Sequence, residues 1–221
     1  MNEQLPLIVA NFKANKNWEE VESWLEVVGP KVSSFAGTII VCPSSPFLGI
    51  AAQSIKSKSL QVKLGSQDLS KFEQGAYTGE IAASQISDIV DYSIIGHSER
   101  RQNFAEDEKT LDQKVQNAVS TGISPIFCVQ NADVAIPENV KIVAYEPVFA
   151  IGTGNPDTPD NAQAVGKKLK SKADYIVLYG GSVSDANIKS FLKEGIVDGA
   201  LIATNCLDPQ KFIKILEVLK S

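Results

Sequence analysis

The chain has one histidine, His97, and three cysteines, Cys42, Cys128 and Cys206, in 221 residues. The cysteines lie far apart and lack the spacing of metal ligands. Cys42 and Cys128 close apolar runs, which reads as buried free thiols rather than disulfides. No apolar run is long enough to span a bilayer. The first residues, Met1-Asn2-Glu3-Gln4, lack the positive-then-apolar pattern of a signal peptide. A cytoplasmic location is the expectation that follows. A basic block is missing too: Lys plus Arg is 21 against 26 for Asp plus Glu, a net charge of −5. That balance argues against nucleic acid or an anionic membrane as partner. Any phosphate must then be held by local groups. There is no low-complexity tract and no inter-domain linker, so residues 1–221 read as a single domain.

What the chain does have is a succession of short apolar runs rich in β-branched residues. They are Leu5 to Ala10, Thr38 to Cys42, Leu60 to Leu64, Tyr92 to Ile95, Ser124 to Val129, Lys141 to Tyr145, Tyr175 to Tyr179 and Gly199 to Ile202. Most are continuous rather than alternating, which suits parallel strands covered on both faces. Helical stripes lie between them: Val21, Trp24, Leu25 and Val28; Leu111, Val115, Ala118 and Val119; Ile188, Phe191 and Leu192; and Phe212, Ile213, Leu216 and Leu219. Asp208-Pro209 starts the last helix with a cap and a proline. Strands alternating with helices predict a closed (β/α)8 TIM barrel. An open doubly wound sheet is the alternative, but no Gly-x-Gly-x-x-Gly turn follows the first strand. The stretch from Gln130 to Val140 barely reaches the 10–12 or so residues a parallel crossover needs, and contains Pro137. It predicts an extended link that leaves part of the barrel wall uncovered.

In such a barrel, active sites gather at the carboxyl ends of the strands. Asn11 and Lys13 follow the first strand, His97 the fourth, Glu146 the sixth, Gly180-Gly181-Ser182 the seventh and Ala203-Thr204-Asn205 the eighth. A carboxylate and an imidazole are the raw material of general acid–base chemistry. Each residue alone has a bland reading, as a surface histidine, a strand-end carboxylate or a solvated lysine. Together they open onto one mouth.

The segments Asn11-Phe12-Lys13-Ala14-Asn15, Gly75-Ala76-Tyr77-Thr78-Gly79-Glu80 and Gly96-His97-Ser98-Glu99-Arg100-Arg101 carry a resemblance to a known family. So do Ala144-Tyr145-Glu146-Pro147-Val148, Ala150-Ile151-Gly152-Thr153-Gly154 and Tyr179-Gly180-Gly181-Ser182-Val183. In this order the chain resembles the triosephosphate isomerases from first strand to last. The resemblance implies interconversion of dihydroxyacetone phosphate and glyceraldehyde 3-phosphate through an enediol(ate), in glycolysis and gluconeogenesis. Glu146 is then the base, His97 polarises the carbonyl oxygens, and Lys13 with Asn11 stabilises the charge that develops on them. This family is itself the standard example of a glutamate base beside a neutral histidine. A helix amino end near Ser98-Glu99 disfavours the imidazolium.

The same resemblance makes residues 147–154 a lid that keeps water from the intermediate. Gly152, Ser182, Ala203 and Thr204 then bind the phosphate, and proton transfer needs no metal or organic cofactor. It also implies a homodimer, or a tetramer, whose loop from Gln67 to Glu80 inserts into the neighbouring subunit with Thr78 near its lysine. Four departures stand out. The crossover helix after the fifth strand is reduced or missing, Phe149 replaces a tryptophan in the lid, Ala203-Thr204 replaces a Gly-Gly pair, and Gln130-Asn131 replaces Gly-Glu after the fifth strand. A barrel that binds sugar phosphates without turnover is the reading from another class. Another phosphate-binding barrel isomerase is a second enzyme reading. The joint presence of base, acid and clamp argues against both.

Overall fold

The computed structural model describes residues 3–148 and 156–220. Eight parallel strands close into a barrel in sequence order: β1 (Leu7–Asn11), β2 (Thr38–Cys42), β3 (Lys63–Ser66), β4 (Tyr92–Ile95), β5 (Ser124–Val129), β6 (Ile142–Tyr145), β7 (Ile176–Tyr179) and β8 (Gly199–Ile202). The seam is the β1–β8 pair, in register from Leu7↔Gly199 to Ala10↔Ile202. Glycine is needed there, because a Cβ on residue 199 would lie 1.9 Å from the Leu7 carbonyl oxygen.

Alternate strand residues fill two separate cores. Leu7, Val9, Ile40, Tyr92, Ile94, Ile126, Cys128, Ile142, Ala144 and Leu178 pack inside the barrel. Their neighbours, among them Ile8, Ile39, Ile95, Phe127, Val143 and Val177, pack outward against the helices. Both strand faces are therefore dry, which is why the runs read as continuous.

The outer layer comprises α1 (Trp18–Val32), α2 (Leu48–Ser57), α3 (Ala83–Ile86), α4 (Ser98–Asn103), α5 (Glu108–Ser120), α6 (Pro159–Lys170), α7 (Ile188–Leu192) and α8 (Pro209–Lys220). Local chemistry starts most of the long ones. Asn17 and Glu20 form a capping box on α1, Asp107 caps α5, and Thr158 with Pro159 opens α6. The four helical stripes fall on α1, α5, α7 and α8. The sequence reading passed over α2, a short helix with few buried side chains, and α6, whose Thr-Pro start was visible.

The link between β5 and β6 contains no helix, as its length predicts. The expected bare wall is not there. Ala132 and Val140 are buried on the barrel, and Val134 and Ile136 pack against the same core. An extended chain places a side chain on the wall every second residue, so a short link can shield what a helix shields elsewhere.

Candidate active site

The barrel's alternation aims two of the site residues. On β1 the inward series Leu7, Val9 continues to Asn11, and on β6 Ile142, Ala144 continues to Glu146. Both end up buried at the mouth, Glu146 with 1% of its surface exposed. His97 arrives by a different route. After β4 the chain turns at Gly96, whose φ of 74° favours glycine, and His97 becomes the N-cap of α4. The Arg101 guanidinium ties this turn down, donating to the carbonyls of Gly96 at 2.8 Å and Cys128 at 2.9 Å.

The two functional groups then meet. Glu146 Oε2 accepts the backbone N–H of Ser98 at 2.8 Å. Its other oxygen, Oε1, lies 3.0 Å from His97 Nε2, yet no donor is aligned on it. An unsatisfied buried carboxylate oxygen is costly unless it has work to do. His97 Nδ1 accepts the N–H of Glu99 at 3.2 Å. That bond assigns the proton of the neutral ring to Nε2, the nitrogen facing the site. Beside them, burial first and the Glu146 carboxylate second push the Cys128 thiol well above the ordinary thiol range.

Lys13 has a φ of 51°, a left-handed conformation that costs a non-glycine residue about 1–3 kcal/mol. Three hydrogen bonds hold it there. Its N–H donates to Asn11 Oδ1 at 2.9 Å, and its carbonyl accepts from Ser44 Oγ and Gln67 Nε2, each at 2.9 Å. Its ammonium reaches Glu99 Oε1 at 2.5 Å. The strained backbone therefore delivers the chain's cation to the mouth beside His97.

Asn11, Lys13, His97, Glu146, Ala203 and Thr204 all line one cleft, together with Gly180, Gly181, Val183 and Asn205. Ser182 sits in the same turn, between lining residues, and its carbonyl accepts from Asn187 Nδ2 at 3.0 Å. Gly180 lets the turn approach the base: a Cβ there would come within 3.0 Å of Glu146 Cγ. Asn205 Nδ2 donates to the Val183 carbonyl at 2.6 Å, joining the loops after β7 and β8. Thr204 opens the short 3-10 turn Thr204–Cys206. Gly152, Phe149 and most of the expected lid lie outside the described residues.

Sequence reasoning missed Ser44 and the Ser98 amide, and it placed Asn205 at the mouth without its bond to Val183. A backbone amide leaves no trace in residue type, and the other two act across loops far apart in the chain. Among the described residues, no group of three or more His, Cys, Asp or Glu is placed to hold a metal ion.

The profile of the family described as triosephosphate isomerase matches residues 6–219. A triosephosphate isomerase of Hahella chejuensis is 36% identical, over 96% of this chain and 97% of its own. Those of Mesomycoplasma hyorhinis and Caldanaerobacter subterraneus are each 34% identical, over 97% and 96% of this chain and 98% of their own lengths.

Proposed function

The chain belongs to the triosephosphate isomerase family, and from that premise we infer that Glu146 is its base, His97 its electrophile and Lys13 with Asn11 its anion clamp. The reaction is the interconversion of dihydroxyacetone phosphate and glyceraldehyde 3-phosphate. One observation carries the assignment of roles. The buried Glu146 carboxylate keeps one oxygen without an aligned donor, beside His97 Nε2, on the floor of a cleft that Lys13 and Thr204 also line.

The chemistry follows from those positions. Glu146 Oε1 takes a proton from the carbon next to the carbonyl. The C–H electron pair becomes the enediolate double bond, and the carbonyl π pair moves to oxygen. His97 Nε2–H donates to that oxygen as its charge grows, and the Lys13 ammonium lowers the energy of the same charge. His97 passes its Nε2 proton to that oxygen and takes the proton of the neighbouring hydroxyl. As that hydroxyl's O–H pair forms the new carbonyl, the enediol double-bond pair takes the proton back from Glu146 on the adjacent carbon. A fixed donor is worth most where charge appears only in the transition state. Ser182, Gly152, Ala203 and Thr204 are assigned to the phosphate. The test is isomerisation of glyceraldehyde 3-phosphate by chelator-treated protein, with Glu146→Gln alongside. Activity that survives the chelator and collapses in the variant supports the base and a reaction without metal.

Ala203 and Thr204 carry side chains where the backbone must approach a phosphate. Replacing both by glycine is expected to lower KM about three- to tenfold, the worth of one better-aligned hydrogen bond, with kcat nearly unchanged. Steady-state kinetics check this; an unchanged KM removes both residues from the phosphate site.

The protein is proposed to work in the cytoplasm, as a triose-phosphate isomerase of glycolysis would; among the described residues no helix is long and apolar enough to cross a membrane. Nucleic acid and membranes are not expected partners. A homodimer is the proposed assembly. Residues 73–80 are exposed throughout, and Phe72 stacks on Tyr77 with ring centroids 4.0 Å apart, stiffening the loop for insertion into a partner. Light scattering should return at least twice the chain mass, and a tetramer is within the same expectation. A fully active monomer contradicts it.

A further inference from the structure

Tyr145 and Tyr179 close β6 and β7 and point outward, into the layer beneath α6. Asp157, 7% exposed, lies between them. Its Oδ2 accepts from the Tyr145 hydroxyl at 3.0 Å and from Asn161 Nδ2 at 2.7 Å. Oδ1 accepts the N–H of Thr158 at 2.8 Å, and the Asp157 N–H donates to the Tyr179 hydroxyl at 2.8 Å. Both carboxylate oxygens and the backbone amide are thus engaged.

The tyrosines adjoin the catalytic machinery. Tyr145 precedes Glu146, and its carbonyl accepts the Gly180 N–H at 2.7 Å. Tyr179 lies directly under Gly181, where a Cβ would collide with the phenol oxygen. Asp157 therefore ties α6 to the strand end that aims the base and to the turn lining the opposite side of the cleft. Burial and the Asp157 carboxylate raise the Tyr145 phenol far above its usual range. Burial leads the rise that takes Tyr179 to about 12. Both remain neutral hydroxyls able to serve as donor and acceptor.

We propose that Asp157 is a positioning residue of this isomerase: its carboxylate, through the Tyr145 hydroxyl, fixes the end of β6 and so the aim of Glu146. The inference rests on Glu146 being the base. The Tyr179 bond uses the Asp157 backbone and survives side-chain substitution, so the carboxylate acts on the base side of the cleft alone. This separates it from a merely structural buried aspartate.

Asp157→Asn cannot accept at both former oxygens, because one becomes an NH₂ facing either Thr158 N–H or the Asn161 amide. The expected result is a fall in kcat of about tenfold, the scale of a small misplacement of a reacting group, with KM within about twofold. Tyr145→Phe should give the same loss. The double variant should lose no more than either, since the two groups act as one unit. In the parent, the hydrogen-bonded Tyr145 hydroxyl proton should be visible by NMR and absent in Asp157→Asn. An unchanged kcat in a folded Asp157→Asn, additive losses, or a change confined to KM would each overturn the proposal. If Asp157→Asn does not fold, Tyr145→Phe decides alone, a full kcat there counting against it. Glu146→Gln, run beside these, separates two failures. A Glu146 variant that keeps its rate removes the base assignment, whereas collapse there with intact Asp157→Asn turnover removes only the positioning role.

Discussion

Glu146→Gln should leave a folded barrel whose turnover of glyceraldehyde 3-phosphate falls about 10³–10⁴-fold, at the upper end of what a single general base contributes. The amide is nearly isosteric, and the Gln carbonyl can still accept the Ser98 N–H that now meets Oε2. No void opens and no backbone donor is orphaned, so the melting temperature should not fall. The amide nitrogen would take the place of Oε1, next to His97 Nε2. Two N–H groups then face each other where a lone pair was needed. Loss of both activity and melting temperature would mean that Glu146 serves the fold, and stopped-flow kinetics beside calorimetry would show it. A rate within tenfold of the parent would move the base elsewhere.

Lys13→Met is the second large effect. Methionine keeps the length and the Cβ, so the strain at φ 51° and the three bonds to Asn11, Ser44 and Gln67 are unchanged. Only the charge goes. Its partner Glu99 has 45% of its side chain exposed, so the pair is worth little to stability and its loss should shift the melting temperature by less than about 4 °C. The catalytic loss should be far larger. Removing one fixed donor from a developing oxyanion typically costs about 10²–10³-fold, and kcat/KM is expected to fall by at least that. Added salt should not restore it, because counter-ions cannot occupy a fixed place in the cleft. A variant with native kcat/KM would reduce Lys13 to a surface cation.

The barrel was legible because its physics is local. A parallel strand buried on both faces must be apolar at successive positions, and Ser124–Val129 and Gly199–Ile202 were bounded correctly for that reason. The stripe of Val21, Trp24, Leu25 and Val28 likewise places α1 without tertiary help. Leu48–Ser57 escaped notice because it buries only Leu48, Ala51 and Ser54, too few to trace a stripe. The bare wall was misjudged for a related reason. Pro137 excludes a long helix, but nothing in residue type says whether Ala132, Val134, Ile136 and Val140 turn toward the barrel.

At the site, residues that carry the chemistry were readable as types at strand ends. Those that aim them were not. Arg101 reaches across to Cys128, and Gln67 reaches back to Lys13, across separations that no sequence window contains. Asp157 was not singled out, since in sequence it is one more acid ahead of a helix. Only its burial between two phenols distinguishes it.

The seam between β1 and β8 has a consequence for the protein's birth. Leu7 pairs with Gly199, and Trp24 on α1 donates to the Cys206 carbonyl at 2.7 Å. The strand made first is therefore the last to find its second neighbour. Until the ribosome has passed residue 202, the growing chain carries an unfinished sheet with two open edges, the kind of surface that recruits other nascent chains. Helices and adjacent strand pairs can assemble during synthesis. The ring itself, and with it the mouth lined by Asn11 and Thr204, comes into being only once β8 has been made.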